Sequence, residues 1–316
     1  MTTRPLPALL GGLALCAVCG AAARLATGAA TQAKPAAARE PDPPARALHG
    51  AAALLAASVL ADSALEHYRG SFENPGMFAP LVSSALALGC GLEGAVAAKP
   101  AASAFRRKSF VLSVGVGAAG LAFHVYNIFK RPGGLSWLNL FYGAPVGAPA
   151  ALSLSGLLGL AGERLAAEGA QTPRLLGFPA GRALAALTSV AIAGTVGEAA
   201  LFHFRGAFQN PFMYAPVAVP PVASGLLAKA SLEPPATTHA FTRAWLWASF
   251  LLGLFGMGFH AYGVARAMGG WRNWSQNLID GPPLPAPPSF SALSIAGLAS
   301  LSLIERQAHA GERQSA

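Results

Sequence analysis

The sequence predicts an all-α fold, a polytopic membrane helical bundle of eight transmembrane helices arranged as two parallel four-helix repeats. Three observations predict it. Hydrophobic residues make up 53% of the chain and charged residues 11%, against roughly 25% charged in a typical soluble domain. Too few charges remain to coat a water-exposed surface. Eight apolar stretches are long enough to cross ~30 Å of hydrocarbon, which takes about 20 helical residues. The chain also repeats itself: His67-Tyr68-Arg69-Gly70-Ser71-Phe72-Glu73-Asn74-Pro75 returns as His203-Phe204-Arg205-Gly206-Ala207-Phe208-Gln209-Asn210-Pro211.

Residues 1–27 hold an Ala/Leu/Gly run behind Arg4 and read as a signal-like or weak membrane segment, a possible extra N-terminal apolar helix. Cys16 and Cys19 have Cys-x-x-Cys spacing, but small apolar filler explains both better than a redox motif. Residues 28–46, rich in Ala and Pro, read as a linker. The first repeat, 47–162, has spans at 47–66, 77–98, 109–129 and 145–162. A linker at 163–181 follows. The second repeat, 182–305, has spans at 182–202, 212–228, 244–265 and 286–304, ahead of a polar tail at 306–316. Four spans per repeat make the repeats parallel, related by an axis along the membrane normal.

The net charge of +9 forms no basic stripe with interleaved aromatics, which argues against nucleic acid. Fifteen Lys and Arg fall on the side of the chain ends and six on the other, Arg4 being set aside. The first side should be cytoplasmic, chiefly for Arg106-Arg107-Lys108. The lipid bilayer is the first expected partner, and the expected location is a bacterial inner membrane with the histidine side outward. If residues 6–23 cross fully, the orientation inverts.

Much of the repeated motif has a structural explanation. Gly70 and Gly206 stand where a helix ending near Arg69 or Arg205 takes a left-handed residue. Asn74-Pro75 and Asn210-Pro211 fit a helix cap followed by proline at the first helical position. Arg69 and Arg205 suit the negative end of a helix dipole or a lipid headgroup, and equally well a supporting role at the histidine site. Pro80 and Pro216 read as kinks early in the second span of each repeat.

The histidines carry the functional expectation. His67 and His203 end the first span of each repeat; His124 and His260 lie near the far end of the third. First and third spans run in the same direction, so all four imidazoles are expected at one depth near the outer face. Polar groups within a membrane are costly and often functional. Paired imidazoles suit b-type haem or a transition metal. Asp62 and Glu198, five residues before His67 and His203, are expected to orient a neighbouring imidazole or to carry protons. Gly117, Gly120, Gly253 and Gly256 either face a macrocycle or allow close helix packing. Tyr126 and Tyr262 flank the site, and Trp137, Asn139, Trp274 and Asn277 belong to outer loops expected to form a lid. His49, His239 and His309 have no repeat partner, and Glu93 is expected to snorkel.

No phosphate-binding loop, dinucleotide fingerprint or hydrolase motif occurs, so enzyme activity stays open. Three functions remain: a haem- or metal-binding electron-transfer subunit, beside a periplasmic redox or other protein partner; a proton- or cation-coupled transporter using Asp62 and Glu198; and a non-catalytic membrane scaffold.

Overall fold

The computed structural model describes residues 42–97, 102–143, 145–168, 173–233 and 235–315, with a few positions between 20 and 24. The signal-like segment and most of the 28–46 linker lie outside them. The order of elements occurs twice. In the first half α1 (Pro43–Arg69) leads through a 3-10 turn (Pro75–Phe78) into α2 (Ala79–Val96), then α3 (Ala104–Lys130), short α4 (Trp137–Tyr142) and α5 (Gly147–Glu168). A two-stranded hairpin, β1 (Arg174–Leu175) on β2 (Phe178–Pro179), joins the halves. In the second half α6 (Ala180–Arg205) leads through Pro211–Tyr214 into α7 (Ala215–Leu232), then α8 (Ala240–Arg266), a further 3-10 turn (Gly270–Asn273), short α9 (Trp274–Ile279) and α10 (Pro288–Ser315).

Seven of these helices are long and apolar enough to cross a membrane, as an all-α membrane bundle requires. The stretch expected as the fourth span is the 22-residue helix α5, less apolar because Glu163 and Arg164 lie in its last two turns. Several expected boundaries move. Glu163 is buried helix rather than linker, and the expected tail at 306–316 continues α10 to Ser315. The 28–46 linker gives way to α1 at Pro43, where proline fits the first helical turn.

Each half is a four-helix square. α1 packs on α2 and α5, and α3 closes the square against α2 and α5; α6, α7, α8 and α10 repeat the pattern. The halves meet where α1 packs tightly on α10. The Ser58 hydroxyl donates to the Pro285 carbonyl and lies 3.2 Å from Ser289 Oγ. Small residues let the backbones approach, which is how helices associate when lipid removes the hydrophobic drive between them. At the end away from the histidines, Arg46 donates to the Ala95 carbonyl at 2.7 Å and Arg182 to the Ser231 carbonyl at 2.7 Å. Each thereby caps the free carbonyls of the next helix.

The caps differ from expectation by one residue. Gly70 has φ −82° and Gly206 φ −79°. The left-handed positions are Ser71 and Phe72 (φ 53° and 49°) and Ala207 and Phe208 (φ 54° and 47°). Phe72 N–H donates to the His67 carbonyl and Ser71 N–H to the Tyr68 carbonyl, so α1 closes in a Schellman turn with Ser71, not Gly70, as its left-handed residue. A Cβ on Gly206 would meet Met213 Cε at 2.8 Å, the far end of a flexible side chain that can move aside. Non-glycine residues in this region cost about 1–2 kcal/mol each. Ser71→Gly and Ala207→Gly are therefore each expected to stabilise the protein by about 1 kcal/mol, read as a raised thermal midpoint in detergent. Asn74 and Asn210 do cap, accepting from Gly76 and Phe212 amides. Pro80 and Pro216 sit in the first turn of α2 and α7, where they break no helical hydrogen bond; only Pro220 and Pro221 lie inside a helix.

Candidate functional site

α1 and α3 stand at opposite corners of the first square, and His67 and His124 lie near the ends of these helices, at the mouth of the square. His67 Nδ1 donates to the Met77 carbonyl at 2.7 Å, in the turn that starts α2. His124 Nδ1 donates to the Pro145 carbonyl, just ahead of α5. All four helices of the half thus converge on two imidazoles. The second half repeats this: His203 Nδ1 donates to the Met213 carbonyl at 2.7 Å and His260 Nδ1 to the Pro283 carbonyl at 2.7 Å. The His203 and His260 ring centroids are 6.5 Å apart, with the planes at 70°.

The chemistry of these bonds fixes the tautomer. A carbonyl only accepts, so each Nδ1 carries the proton and each Nε2 keeps its lone pair. None of the four Nε2 atoms has a hydrogen-bond partner among the described residues. An imidazole whose Nδ1–H is anchored to a carbonyl is a common form of a metal-ligating histidine. Aromatic rings set the wall of each mouth. Phe72 meets His67 edge-on at 6.2 Å and stacks on Phe78; Phe208 meets His203 at 6.1 Å and stacks on Tyr214. The strained Ser71-Phe72 and Ala207-Phe208 turns put those rings there. Among the described residues no three His, Cys, Asp or Glu side chains gather as a metal site.

The other residues singled out in the sequence fall elsewhere. Asp62 and Glu198 do not reach the imidazoles, whose Nδ1 atoms are already taken by carbonyls. Glu198 accepts from the Gly147 amide at the start of α5, in the other half, at 3.0 Å. Arg69 and Arg205 cross between halves: Arg69 donates to the Ile279 carbonyl in α9, and Arg205 sits over the Tyr142 ring of α4 at 5.2 Å. Each arginine thus ties the helix end bearing one histidine to the outer loop of the other half. Tyr126 and Tyr262 face outward. Trp137 and Trp274, 74% and 60% exposed, also point away from the protein and suit a membrane-interface belt. Asn139 donates to the Pro132 and Gly134 carbonyls, and Asn277 to those of Met268 and Gly270. They hold their own loops in shape, around glycines with positive φ at 133, 134, 269 and 270.

The glycines serve packing. A Cβ on Gly117 would meet Ser153 Oγ at 2.5 Å and the Pro149 carbonyl at 2.6 Å, and one on Gly253 the Pro287 carbonyl at 2.8 Å. They bring α3 onto α5 and α8 onto α10, not a macrocycle onto a helix face. Gly117→Ala and Gly253→Ala are each expected to cost about 1–3 kcal/mol by overpacking, measured as a lowered thermal midpoint.

The sequence reading passed over a buried charge cluster at the opposite end of the first square. Arg106, 3% exposed, donates from Nε to Glu163 at 2.6 Å and from Nη1 to Glu93 at 2.9 Å. Glu163 also accepts from the Ser103 amide at 2.6 Å and lies 3.3 Å from His49 Nε2. His49 is slotted between Gly94 and Gly162 and stacks on Phe110. The second half builds a looser version from Arg243, Glu305 and His239. These positions share no common offset, so comparing the two copies of the sequence could not reveal them. Arg106 is therefore no free loop charge, and Glu93 pairs with it rather than reaching alone for water.

Compared with known protein families, curated proteins and solved structures, the chain matches none.

Proposed function

We propose that this chain is an integral membrane electron-transfer subunit that binds a transition metal ion between two histidines at the outer mouth of each half. The observation that carries this is the shared anchoring of all four Nδ1 atoms to backbone carbonyls, which presents four Nε2 lone pairs in two pairs. Metal-to-imidazole bonds of about 2.0–2.1 Å put two rings ligating one ion roughly 6 Å apart, near the spacing of the His203–His260 pair. Imidazole suits Cu, Fe, Ni and Zn, and of these copper or iron would supply one-electron chemistry. The iron of b-type haem would use the same histidines, but the glycines that should flank a macrocycle are pressed onto α5 and α10. The chain's own part is to fix each tautomer and to seat the rings between four helices.

In this reading α5 completes eight spans, the halves are parallel repeats about an axis along the membrane normal, and the histidine end faces outward. Metal analysis and an absorption spectrum of the detergent-purified protein test it. One to two equivalents of copper or iron per chain are expected. A Soret band would assign the iron to haem instead. No stoichiometric metal and no Soret band, after growth with both metals supplied, would reject the proposal.

One observation favours a second reading, a proton- or cation-coupled transporter. Asp62 and Glu198 lie inside apolar spans, and Glu198 reaches across to the Gly147 amide of the other half; transporters built from repeats place their sites at the repeat interface. Transport unchanged by Asp62→Asn with Glu198→Asn would count against it.

A further inference from the structure

At the end of the second half opposite the histidines, a cavity of about 390 Å³ lies between the end of α7 and the start of α8. Lys229, Glu233, Thr238, His239, Phe241 and Thr242 are among the residues that line it. α8 is 27 residues long; the His239 side chain at its N-cap makes no cap bond, while Glu305 accepts from the His239 amide at 3.1 Å. The corresponding helix of the first half, α3, is capped by Ser103, whose hydroxyl accepts from the Arg106 amide. A long helix with a free first turn presents amide donors and a partial positive charge to whatever sits in front of it.

One side chain points to a missing acceptor. Thr242, 7% exposed, lines the cavity, and its hydroxyl has no hydrogen-bond partner among the described residues. His239 Nδ1 is buried without a hydrogen bond, 3.4 Å from Glu305. Lys229 stands at the rim, 3.9 Å from Glu233, with both side chains more than half exposed. That contact is weak enough to exchange for another anion. Glu305, the acid behind the site, is already held by Arg243 at 2.6 Å. At the cluster of the first half His49, Arg106 and Glu163 are all buried.

We propose that this cavity binds the phosphate of an anionic phospholipid headgroup, with the α8 amides, the Thr242 hydroxyl and Lys229 as its donors. Helix N-termini bind phosphate by this combination of amides and dipole. Exposed Leu232 and Phe241 flank the opening, which sets it at the level where a span leaves the membrane. Basic pockets between membrane helices recognise headgroups at that depth.

The test titrates delipidated full-length protein in neutral detergent with short-chain phosphatidylglycerol, with phosphatidylcholine and with inorganic phosphate. Saturable binding of phosphatidylglycerol at one site is expected, at least about fivefold tighter than phosphatidylcholine. Thr242→Val and Lys229→Gln should each weaken it about fivefold or more, while Lys108→Gln in the first half leaves it unchanged. Inorganic phosphate binding as tightly, and lost in the same variants, would overturn the lipid source and make the ligand a soluble phosphate. Non-saturable uptake, or binding indifferent to both variants, would overturn the site itself. The thermal midpoint and helicity of each variant separate loss of the site from loss of the fold.

Discussion

Alanine at both His67 and His124 is expected to remove one of two metal equivalents from the purified protein, and alanine at all four histidines both. Each ion has two protein ligands, so losing one imidazole leaves a single nitrogen and open positions for water. Because removing even an outer-shell partner typically lowers metal affinity 10- to 100-fold, loss of a direct ligand in His67→Ala alone should lower it by about 100-fold or more. The His203 and His260 pair, seated on its own carbonyls 2.7 Å away, should keep its ion when the first pair is removed. Metal analysis of wild type and variants, with spectra in the oxidised and reduced forms, gives the readout. Asp62→Asn with Glu198→Asn serves as the contrast: neither acid touches an imidazole, so metal content should stay at the wild-type level while any coupled transport is lost. Metal unchanged in the four-alanine protein would end the histidine assignment.

The meeting of His203 and His260 was legible in the sequence because it follows from helix direction alone. Two histidines at the ends of parallel spans must share a level, whatever the details of packing. The Asn74 and Asn210 caps were legible for a similar reason, since their bonds reach only two residues along the chain. What the sequence could not show is anything set by contact between helices. Whether Gly117 faces a ligand or Ser153 depends on which side of α3 meets α5. The left-handed residue fell one place beyond Gly70, because the turn is closed by bonds from Phe72 and Ser71 that fix which residue must invert. Arg69 and Arg205 looked like headgroup contacts until the opposite half supplied the Ile279 carbonyl and the Tyr142 ring.

Those crossed arginines bear on how the halves work together. Each leaves a helix two residues after its histidine, and each reaches the outer loop that follows the third long helix of the other half. The loops are stiff, each being held by an asparagine that donates to two of the loop's own carbonyls. The two histidine pairs are thereby linked through the arginines and loops, though each pair is anchored to carbonyls of its own half.

Glu163→Ala is expected to cause the largest loss of stability of any single substitution considered, about 3–5 kcal/mol, because it takes from the buried Arg106 guanidinium the carboxylate that its Nε donates to. Arg106 is 3% exposed and Glu163 1%, so water cannot replace the lost carboxylate. Glu93 would remain as a partner at 2.9 Å, but its side chain is 60% exposed and the contact uses only one guanidinium nitrogen. The Ser103 amide would lose its acceptor as well, freeing the start of α3. Glu305→Ala in the second half should cost less, since the Arg243 side chain is 32% exposed and reaches solvent. Removing both partners tests the cause: Arg106→Met with Glu163→Leu deletes the charges together, and the pair should recover most of what Glu163→Ala loses. Thermal unfolding of the four proteins in one detergent decides it. A Glu163→Ala loss under about 1 kcal/mol, or a double variant no better than the single, would show that the cluster is not what holds α3 to α5 at that end.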